Sequence, residues 1–468
     1  ANSGGYRYGV SDQAFYIPVF ADAANPALFP RDRGLLESQS RFTVLDELVG
    51  LLLRATRFGL PALCFAGYLL TVAIFVAAVA TIGGRLFGSV WMTFALITAL
   101  TLRHRIAETG VNTFEGYFHP RVLAFAVGLL AVAWVLRGRW FGGVSLTVAA
   151  MVVHPTTGGW FAVWLALGAV LGRRRRWTIP ALLLAAAAGV ACVYLLAEWR
   201  PGLVPRMDAA WLDTLSSKDY LFPNTWSLST WLTNAIAPAV LLAGYTMRAR
   251  RGVVTPEERI IAFGSMALVG VFLLTLPLVA SGIAAAVQLQ ISRVLWMVEL
   301  VATVYLVWML ADGSRDRALA LTAVLLVLSA ARGIYILNVQ FDRPLAQFNL
   351  PRSDWQAMCE WASRGTPVDA GFLADPQHSN RYGVSFRIAA RRDVLVEAVK
   401  DPAIGIYSRA VALDVQKRLV AAGAFDQLTA ADIRRLARRY DLDYVITERQ
   451  YDLPLAHVAG PLRAYRVQ

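Results

Sequence analysis

Charged side chains are scarce in this chain. Asp, Glu, Lys and Arg make up 16% of its 468 residues and apolar residues 57%, where an ordinary soluble domain has about a quarter charged. A chain so short of charge has too little polar surface to be a wholly solvent-exposed fold. Its apolar runs also lack period-two alternation, which removes the closed-barrel route across a membrane and leaves helices. Cysteine is sparse: Cys64 and Cys192 lie in apolar runs and Cys359 stands alone, so neither a disulfide framework nor a metal spacing follows. P-loop, GxGxxG, HExxH and GxSxG motifs are missing, and with them any motif support for nucleotide, zinc-protease or serine-hydrolase chemistry. No internal repeat or low-complexity tract is present.

Long apolar runs take the place of charge, among them Leu182–Leu196, Ala262–Leu276, Val294–Leu310 and Leu319–Leu328, and the mean hydropathy is +0.50. Helices of ~20 such residues span a ~30 Å hydrocarbon core. Ten segments are predicted, near 58–82, 89–102, 119–136, 141–153, 155–171, 178–196, 230–247, 259–277, 293–311 and 317–336. The formal charge of +13 does not indicate a nucleic-acid partner, because much of it sits in short loops between apolar runs. Arg85, Arg137 with Arg139, Arg173–Arg176, Arg248 with Arg250 and Arg251, and Arg315 with Arg317 fall in every second loop, which places those loops in the cytoplasm. The remaining loops, 1–57, 103–118, 154–157, 197–229 and 278–292, then face outward with the C-terminal region. A further N-terminal helix ahead of Ala1 is expected on this topology.

The expected organisation has three parts. Residues 1–57 form an outer loop ending in an amphipathic interfacial helix, VLDELVGLLLRATRF. Residues 58–338 form the membrane domain. Residues 339–468 alternate short apolar runs with charged helical stretches, as in a small α/β layer domain. There DAGFLAD (369–375), VLVEAV (394–399) and DYVITE (443–448) read as strands. Tyr407–Ala421 and Ala430–Tyr440 read as helices, the second capped by Thr429.

Polar residues on the outward side supply the candidate chemistry. Asp12, in YGVSDQAFYIPVF, suits a general base for an acceptor hydroxyl or a ligand for a cation, and a divalent cation is the one cofactor the residues admit. Its plain alternative is a helix cap. The loop RHRIAETGVNTFEGYFHPR (103–121) crowds His104, Glu108, Glu115, His119 and Arg121, a mixture suited to binding phosphate and moving a proton. Pro120 also marks a helix start, so His119 has a boundary reading too. His154 precedes Pro155 in VVHPTTGG, where a helix N-terminus suits an anion or makes a plain tight turn. Arg293 opens an apolar run with Glu299 deeper in it. Arg293 can hold a lipid phosphate or snorkel to headgroups, and Glu299 can pair with Arg293 or with an arginine of another helix. The aromatic residues of 197–231 read first as an interfacial belt. Arg387, Arg391, Arg392 and Lys400, around a strand in FRIAARRDVLVEAVK, read first as a solvated charged face.

Taken together, SDQAFYIP, TFEGYFHPR, HPTTG, SRVLW and FRIAARRDVLVEAVK resemble a bacterial family of multi-pass proteins similar to the C-type fold (GT-C) glycosyltransferases, the class of the protein mannosyltransferases and the oligosaccharyltransferase catalytic subunit. The resemblance spans most of the chain through short motifs. It implies a multi-helix membrane fold, often with a soluble outer domain, that takes a sugar from a polyprenyl-phosphate carrier at the outer face of the bacterial inner membrane. By position, Asp12 looks like the first-loop catalytic acid, Glu108 or Glu115 like the acidic residue of the second outer loop, and Arg293 like a phosphate-binding arginine. The first loop shows Ser11-Asp12-Gln13 where the family pattern has paired acids.

The expectation is therefore a polytopic α-helical, GT-C-like membrane protein with a C-terminal soluble, extracytoplasmic α/β domain. It transfers a sugar from a polyprenyl-phosphate carrier to an unidentified acceptor. Asp12, Glu108 and Glu115 are its catalytic candidates, and His119, Arg121, His154, Arg293 and Glu299 its substrate- or phosphate-binding candidates. Two rivals make different demands. A lipid or polysaccharide transporter needs polar or broken helices near the bilayer midplane, and a non-catalytic scaffold needs no gathering of these side chains.

Overall fold

The computed structural model describes residues 4–467 apart from 57, 173–187, 190, 194, 196, 197, 199, 201, 312 and 313. The segment expected near 178–196 and the Arg173–Arg176 run lie largely outside the described residues. The chain is mainly helical and divides into two compact units. The first comprises Ala1–Gly5, Gly67–Asp208 and Lys218–Leu345, and the second Tyr6–Ala66, Ala209–Ser217 and Ala346–Gln468.

Apolar helices appear at Leu60–Phe87, Val90–Thr101, Pro120–Leu136, Trp140–Val153, Pro155–Leu171, Leu228–Arg250, Pro256–Ala280, Val294–Ala311 and Arg315–Ile334, all close to the predicted bounds. By length and composition four stretches among the described residues are able to cross a membrane: Leu60–Phe87, Pro256–Ala280, Ala284–Ala311 and Arg315–Gln340. The Val90–Thr101, Pro120–Leu136, Trp140–Val153 and Pro155–Leu171 helices are apolar but shorter. Several of these helices expose large apolar side chains, such as Leu70, Phe141, Leu232, Leu273 and Val327. Water penalises such a surface and hydrocarbon does not.

Helix packing in the first unit uses small residues, because lipid gives apolar helices no solvent-driven reason to associate and close backbone approach must replace it. A Cβ on Gly168 would lie 2.3 Å from the Ile260 carbonyl oxygen, and one on Gly264 would lie 2.4 Å from that of Trp164. The glycines face each other's helix from both sides, and the Trp164 indole donates to the Ile261 carbonyl at 3.0 Å. Phe125 stacks on Trp296 with ring centroids 3.6 Å apart. The aromatic loop contributes to packing: Trp226 and Trp231 lie against Phe272 with centroids 5.9 and 5.6 Å away. One ion pair is buried among these helices. The Arg248 guanidinium grips both oxygens of Glu258 at 2.6 and 2.9 Å, and the Tyr305 hydroxyl donates to the same carboxylate at 3.3 Å.

The second unit is built on a five-stranded mixed sheet in the order Asp393–Val394, Gly371–Leu373, Tyr444–Thr447, Leu462–Arg466, Leu455–Ala459. The first three strands are parallel, and the last two form an antiparallel hairpin on Tyr444–Thr447. Trp355, Met358 and Cys359 of the Asp354–Gly365 helix pack on Phe372, Phe386, Ile446 and Ala464 to make its core. The Ala430–Tyr440 helix has its predicted bounds, and Thr429 and Asp432 complete a reciprocal capping box. The strand expected over 394–399 is only Asp393–Val394, and Phe386–Ala390 is a short helix.

The N-terminal stretch read as an outer loop carries three helices, Gln13–Ala24, Arg33–Ser40 and Leu45–Ala55, within this second unit. Tyr6–Arg7 pairs in parallel with Ala346–Gln347. The Leu45–Ala55 helix leaves Leu48, Leu51 and Leu52 exposed and buries Val49 and Gly50. Gly50 is required there, since a Cβ would lie 2.9 Å from the Ala23 backbone.

Removing one partner of a buried ion pair leaves an uncompensated charge, which costs ~3–5 kcal/mol. Glu258→Ala is expected to lower the thermal transition of the purified protein markedly. Arg248→Ala combined with Glu258→Ala should recover part of that loss. A double variant as unstable as the sum of the singles would show that the two side chains act independently.

Candidate functional site

In the first unit the 103–121 segment places its polar groups by local backbone bonds. Arg105–Ile106 pairs antiparallel with Val111–Asn112, closing a tight hairpin in which Glu108 takes a left-handed φ of 51°. Glu108 points to no cluster; its nearest cation is Arg105 at 3.5 Å. Glu115 is buried. Asn112 donates to one of its oxygens at 2.9 Å, and Arg103 lies 3.4 Å from the other.

His119 caps the Pro120–Leu136 helix: its Nδ1 accepts from the Arg121 backbone N–H at 3.0 Å, which puts the proton of the neutral ring on Nε2. Arg121 is buried in the first turn of the same helix. His154 repeats this arrangement on the Pro155–Leu171 helix, its Nδ1 accepting from the Thr157 N–H at 3.3 Å and bonding the Thr157 hydroxyl at 3.0 Å. Both helices start His-Pro, because a ring acceptor caps the first turn and proline fits its first position.

These two caps share one environment. Burial first, then the charges of His119, Arg293 and Arg121, push the His154 imidazole well below its ordinary pKa. Three of the sequence-predicted residues, His119, Arg121 and Arg293, thus lie near enough to His154 for their charge to act on it. Gln290, in a left-handed turn at φ 51°, and the hydrogen bond from the Ser292 hydroxyl to the Tyr220 carbonyl at 2.7 Å fix the approach to Arg293. The Arg293 guanidinium lies 5.0 Å from the Tyr220 ring centroid.

Two expectations are corrected. Glu299 does not pair with an arginine: it bonds His104 Nε2, and that hydrogen bond, opposed by burial, raises the His104 pKa. The basic stretch of 387–400 is a solvated face only in part, with Arg391 exposed and Lys400 half-buried. Arg387 and Arg392 are buried, and Arg392 donates to the carbonyls of Ser363 and Thr366 at 2.7 and 2.8 Å.

Asp12 belongs to the second unit. It stands at the N-cap of Gln13–Ala24 without making a capping bond and forms an ion pair with Lys400 at 2.5 Å. Nearby lies a polar assembly that the sequence did not reveal. Arg387 bonds Asp32 at 2.7 Å and both oxygens of Asp401 at 2.7 and 3.0 Å. Arg418 takes the other Asp32 oxygen at 2.9 Å, and the Asp393 carboxylate accepts the backbone N–H groups of Arg31 and Asp32 at 3.1 and 3.0 Å. Glu397 accepts from Ser385 at 2.7 Å and lies 3.3 Å from His378 Nε2. Burial disfavours the charge on Arg387, but Asp32, Asp401 and Glu397 more than offset it and hold the guanidinium charged. Burial and the charge of Asp32 raise Asp393 to about 6. Among the described residues, no three His, Cys, Asp or Glu side chains gather as a metal site.

The Asp32–Arg387–Asp401 assembly is closed on itself and buried, so its expected role is structural. Arg387→Met should destabilise the second unit by ~3–5 kcal/mol. Asp32→Asn should cost less on the Met background than alone, and equal costs would show that the two side chains are not coupled. Arg387, Asp393, Glu397 and Asp401 of this assembly fall in a stretch that matches a family model. Residues 353–402 match a domain of unknown function, DUF6798. No curated protein matches the chain.

Proposed function

We propose that this chain is a glycosyltransferase of the bacterial inner membrane that moves a sugar from a polyprenyl-phosphate carrier to an acceptor on the extracytoplasmic side, where its C-terminal α/β region also lies. The observation that supports this reading is the convergence of His119, Arg121, His154 and Arg293. Two helix N-termini bring partial positive charge to one place, and two guanidinium groups add full charge. Such a site is suited to a phosphate group beside apolar helices, and the lipid tail of the carrier suits those helices. With Nδ1 of His154 accepting from Thr157, the proton of its neutral ring lies on Nε2, a donor suited to a phosphate oxygen.

The reaction requires little from the protein beyond charge placement. The bond between the anomeric carbon and the phosphate oxygen breaks, and its electron pair stays on the phosphate. The acceptor oxygen forms the new bond to the anomeric carbon and gives its proton to a carboxylate. The guanidinium charges of Arg121 and Arg293, with the neutral imidazoles of His119 and His154 beside them, would stabilise the departing phosphate, and this works best where water is excluded. The resemblance assigns the proton to Asp12. Glu115, buried and oriented by Arg103 and Asn112, is a second carboxylate for that work, whereas Glu108 has no comparable setting.

Purified protein in lipid nanodiscs should bind a labelled polyprenyl phosphate and transfer its sugar. Arg293→Ala should weaken carrier binding by roughly 10–100-fold, the value of a charge-assisted hydrogen bond of ~1.5–3 kcal/mol. Asp12→Asn should abolish transfer while leaving carrier binding intact. Unchanged carrier binding in both Arg293→Ala and His154→Ala would overturn the phosphate site, and equal turnover with Asp12→Asn would remove Asp12 from the chemistry.

A further inference from the structure

A cavity of about 500 Å³ lies wholly within the second unit and plays no part in the proposed transfer. Its walls come from the Gln13–Ala24, Arg33–Ser40 and Leu45–Ala55 helices and from Ser408 and Val411. Four carboxylates line it: Asp22, Glu37, Asp46 and Glu47. Among the described residues none of them forms an ion pair, although arginines stand close by. Those arginines are engaged elsewhere. Arg54 donates to the Ala23 carbonyl, Arg33 to the Pro26 carbonyl, and Arg41 lies 4.9 Å from the Phe42 ring centroid.

Asp46 carries the argument. It is only 8% exposed, and its Oδ1 atom is buried without a hydrogen-bond donor among the described residues. A buried carboxylate oxygen left in this way is costly unless something else occupies the space in front of it. The acids are arranged in two pairs. Asp22 and Glu37 repel each other from the first and second helices, and Asp46 and Glu47 are neighbours on the third. They do not meet in one knot of three, so a single metal ion is not the natural guest. Two separated pairs along a cavity of this size suit an elongated guest with positive charge at both ends. The exposed Glu37 and Glu47 stand at the rim, and the buried Asp46 marks the inner end.

We propose that this cavity is a binding site for a small linear organic polycation, a di- or polyamine, with one ammonium group between Asp22 and Glu37 and another against Asp46 and Glu47. Binding is pH-dependent for a physical reason. Burial, then the hydrogen bond and charge of Glu47, raise Asp46 to about 7. The groups around it are Asp22 from the first helix, Glu37 and Arg41 from the second, Glu47 and Arg54 from its own helix, and the neutral Ser408. All three ionisable neighbours other than arginine are thus also acids, so lowering the pH removes negative charge from the site and weakens it for a cation.

The test is calorimetric titration of the full-length protein, in a nanodisc of zwitterionic lipid at fixed ionic strength, with spermidine as the probe. Saturable binding of one spermidine per chain is expected at pH 8, falling about tenfold at pH 6 as a group near 7 takes up its proton. Asp46→Asn, nearly the same shape, should weaken binding by roughly tenfold and flatten the pH dependence. Glu37→Gln, at the exposed rim and harmless to folding, should weaken binding at both pH values and separate lost recognition from lost structure. Spermidine binding that is unsaturable, or unchanged in both variants, overturns the proposal. So does competition by equimolar Mg²⁺, which would make the site a divalent-cation site instead.

Discussion

The second unit depends on one buried guanidinium. Arg387 sits between Asp32 and Asp401, which are 355 and 14 residues away along the chain. The first bond ties the start of the Arg33–Ser40 helix to the Phe386–Ala390 helix, and the second ties that helix to the first residue of Asp401–Ile404. None of these groups survives burial alone, because an isolated charge in a low-dielectric interior costs several kcal/mol even after relaxation. They are tolerable only together, so the cluster forms in a single arrangement and fixes the register of every segment that enters it. Arg418, Asp393 and Glu397 extend the same accounting until most oxygens have a donor. The apolar layer of Trp355, Phe372 and Ile446 supplies the bulk of the driving force, but it does not discriminate among arrangements as the ionic cluster does.

In the first unit the ordering principle is geometric. The glycines at 168 and 264 let two apolar helices approach until backbone meets backbone, which leaves the ends of the helices to carry polarity. A helix N-terminus is the one place where an apolar helix presents unsatisfied N–H groups. The two His-Pro caps use a ring nitrogen for one of these groups and proline to remove another. What remains is a pair of positively polarised ends, with Arg121 in the first turn of one of them and Arg293 acting on the cap of the other. Burial first, and then the nearby charges, push His154 toward neutrality. A site whose own cations disfavour each other is one that an anion stabilises.

The apolar helices were legible because their signal is local. Apolar run length and flanking prolines marked Pro120–Leu136, Pro155–Leu171 and Pro256–Ala280 to within a few residues. The Thr429 capping box was equally local. His119, Arg121, His154 and Arg293 were singled out individually, since each stands beside a cap or at the start of an apolar run. What could not be read was pairing over distance. A sequence shows that 387–400 is rich in arginine but not that Asp32 waits for one of them, so a buried ionic core looked like a solvated face. The His104–Glu299 bond was hidden for the same reason. The short strand at Asp393–Val394 was overestimated because VLVEAV has the apolar pattern of a strand, while its second half is drawn into the loop that lets the Glu397 backbone N–H donate to Asp401.

The two acidic assemblies of the second unit separate structure from recognition. Asp32, Asp401 and Asp393 are each met by a guanidinium or by backbone N–H groups, so their negative charge is already spent on holding the fold. Asp22, Glu37, Asp46 and Glu47 surround a cavity, while the nearest arginines bond carbonyls or an aromatic ring. Had those acids served only solubility, nothing would require Asp46 to be buried, and a rim position like that of Glu47 would suffice. Burial of a carboxylate oxygen without a donor lowers stability, and the pairing of Arg387 with Asp32 shows that this fold has the means to answer one. The vacancy of charge beside Asp46 is therefore most economically explained by a cationic guest, whose binding would supply the compensation that Arg387 supplies to Asp32.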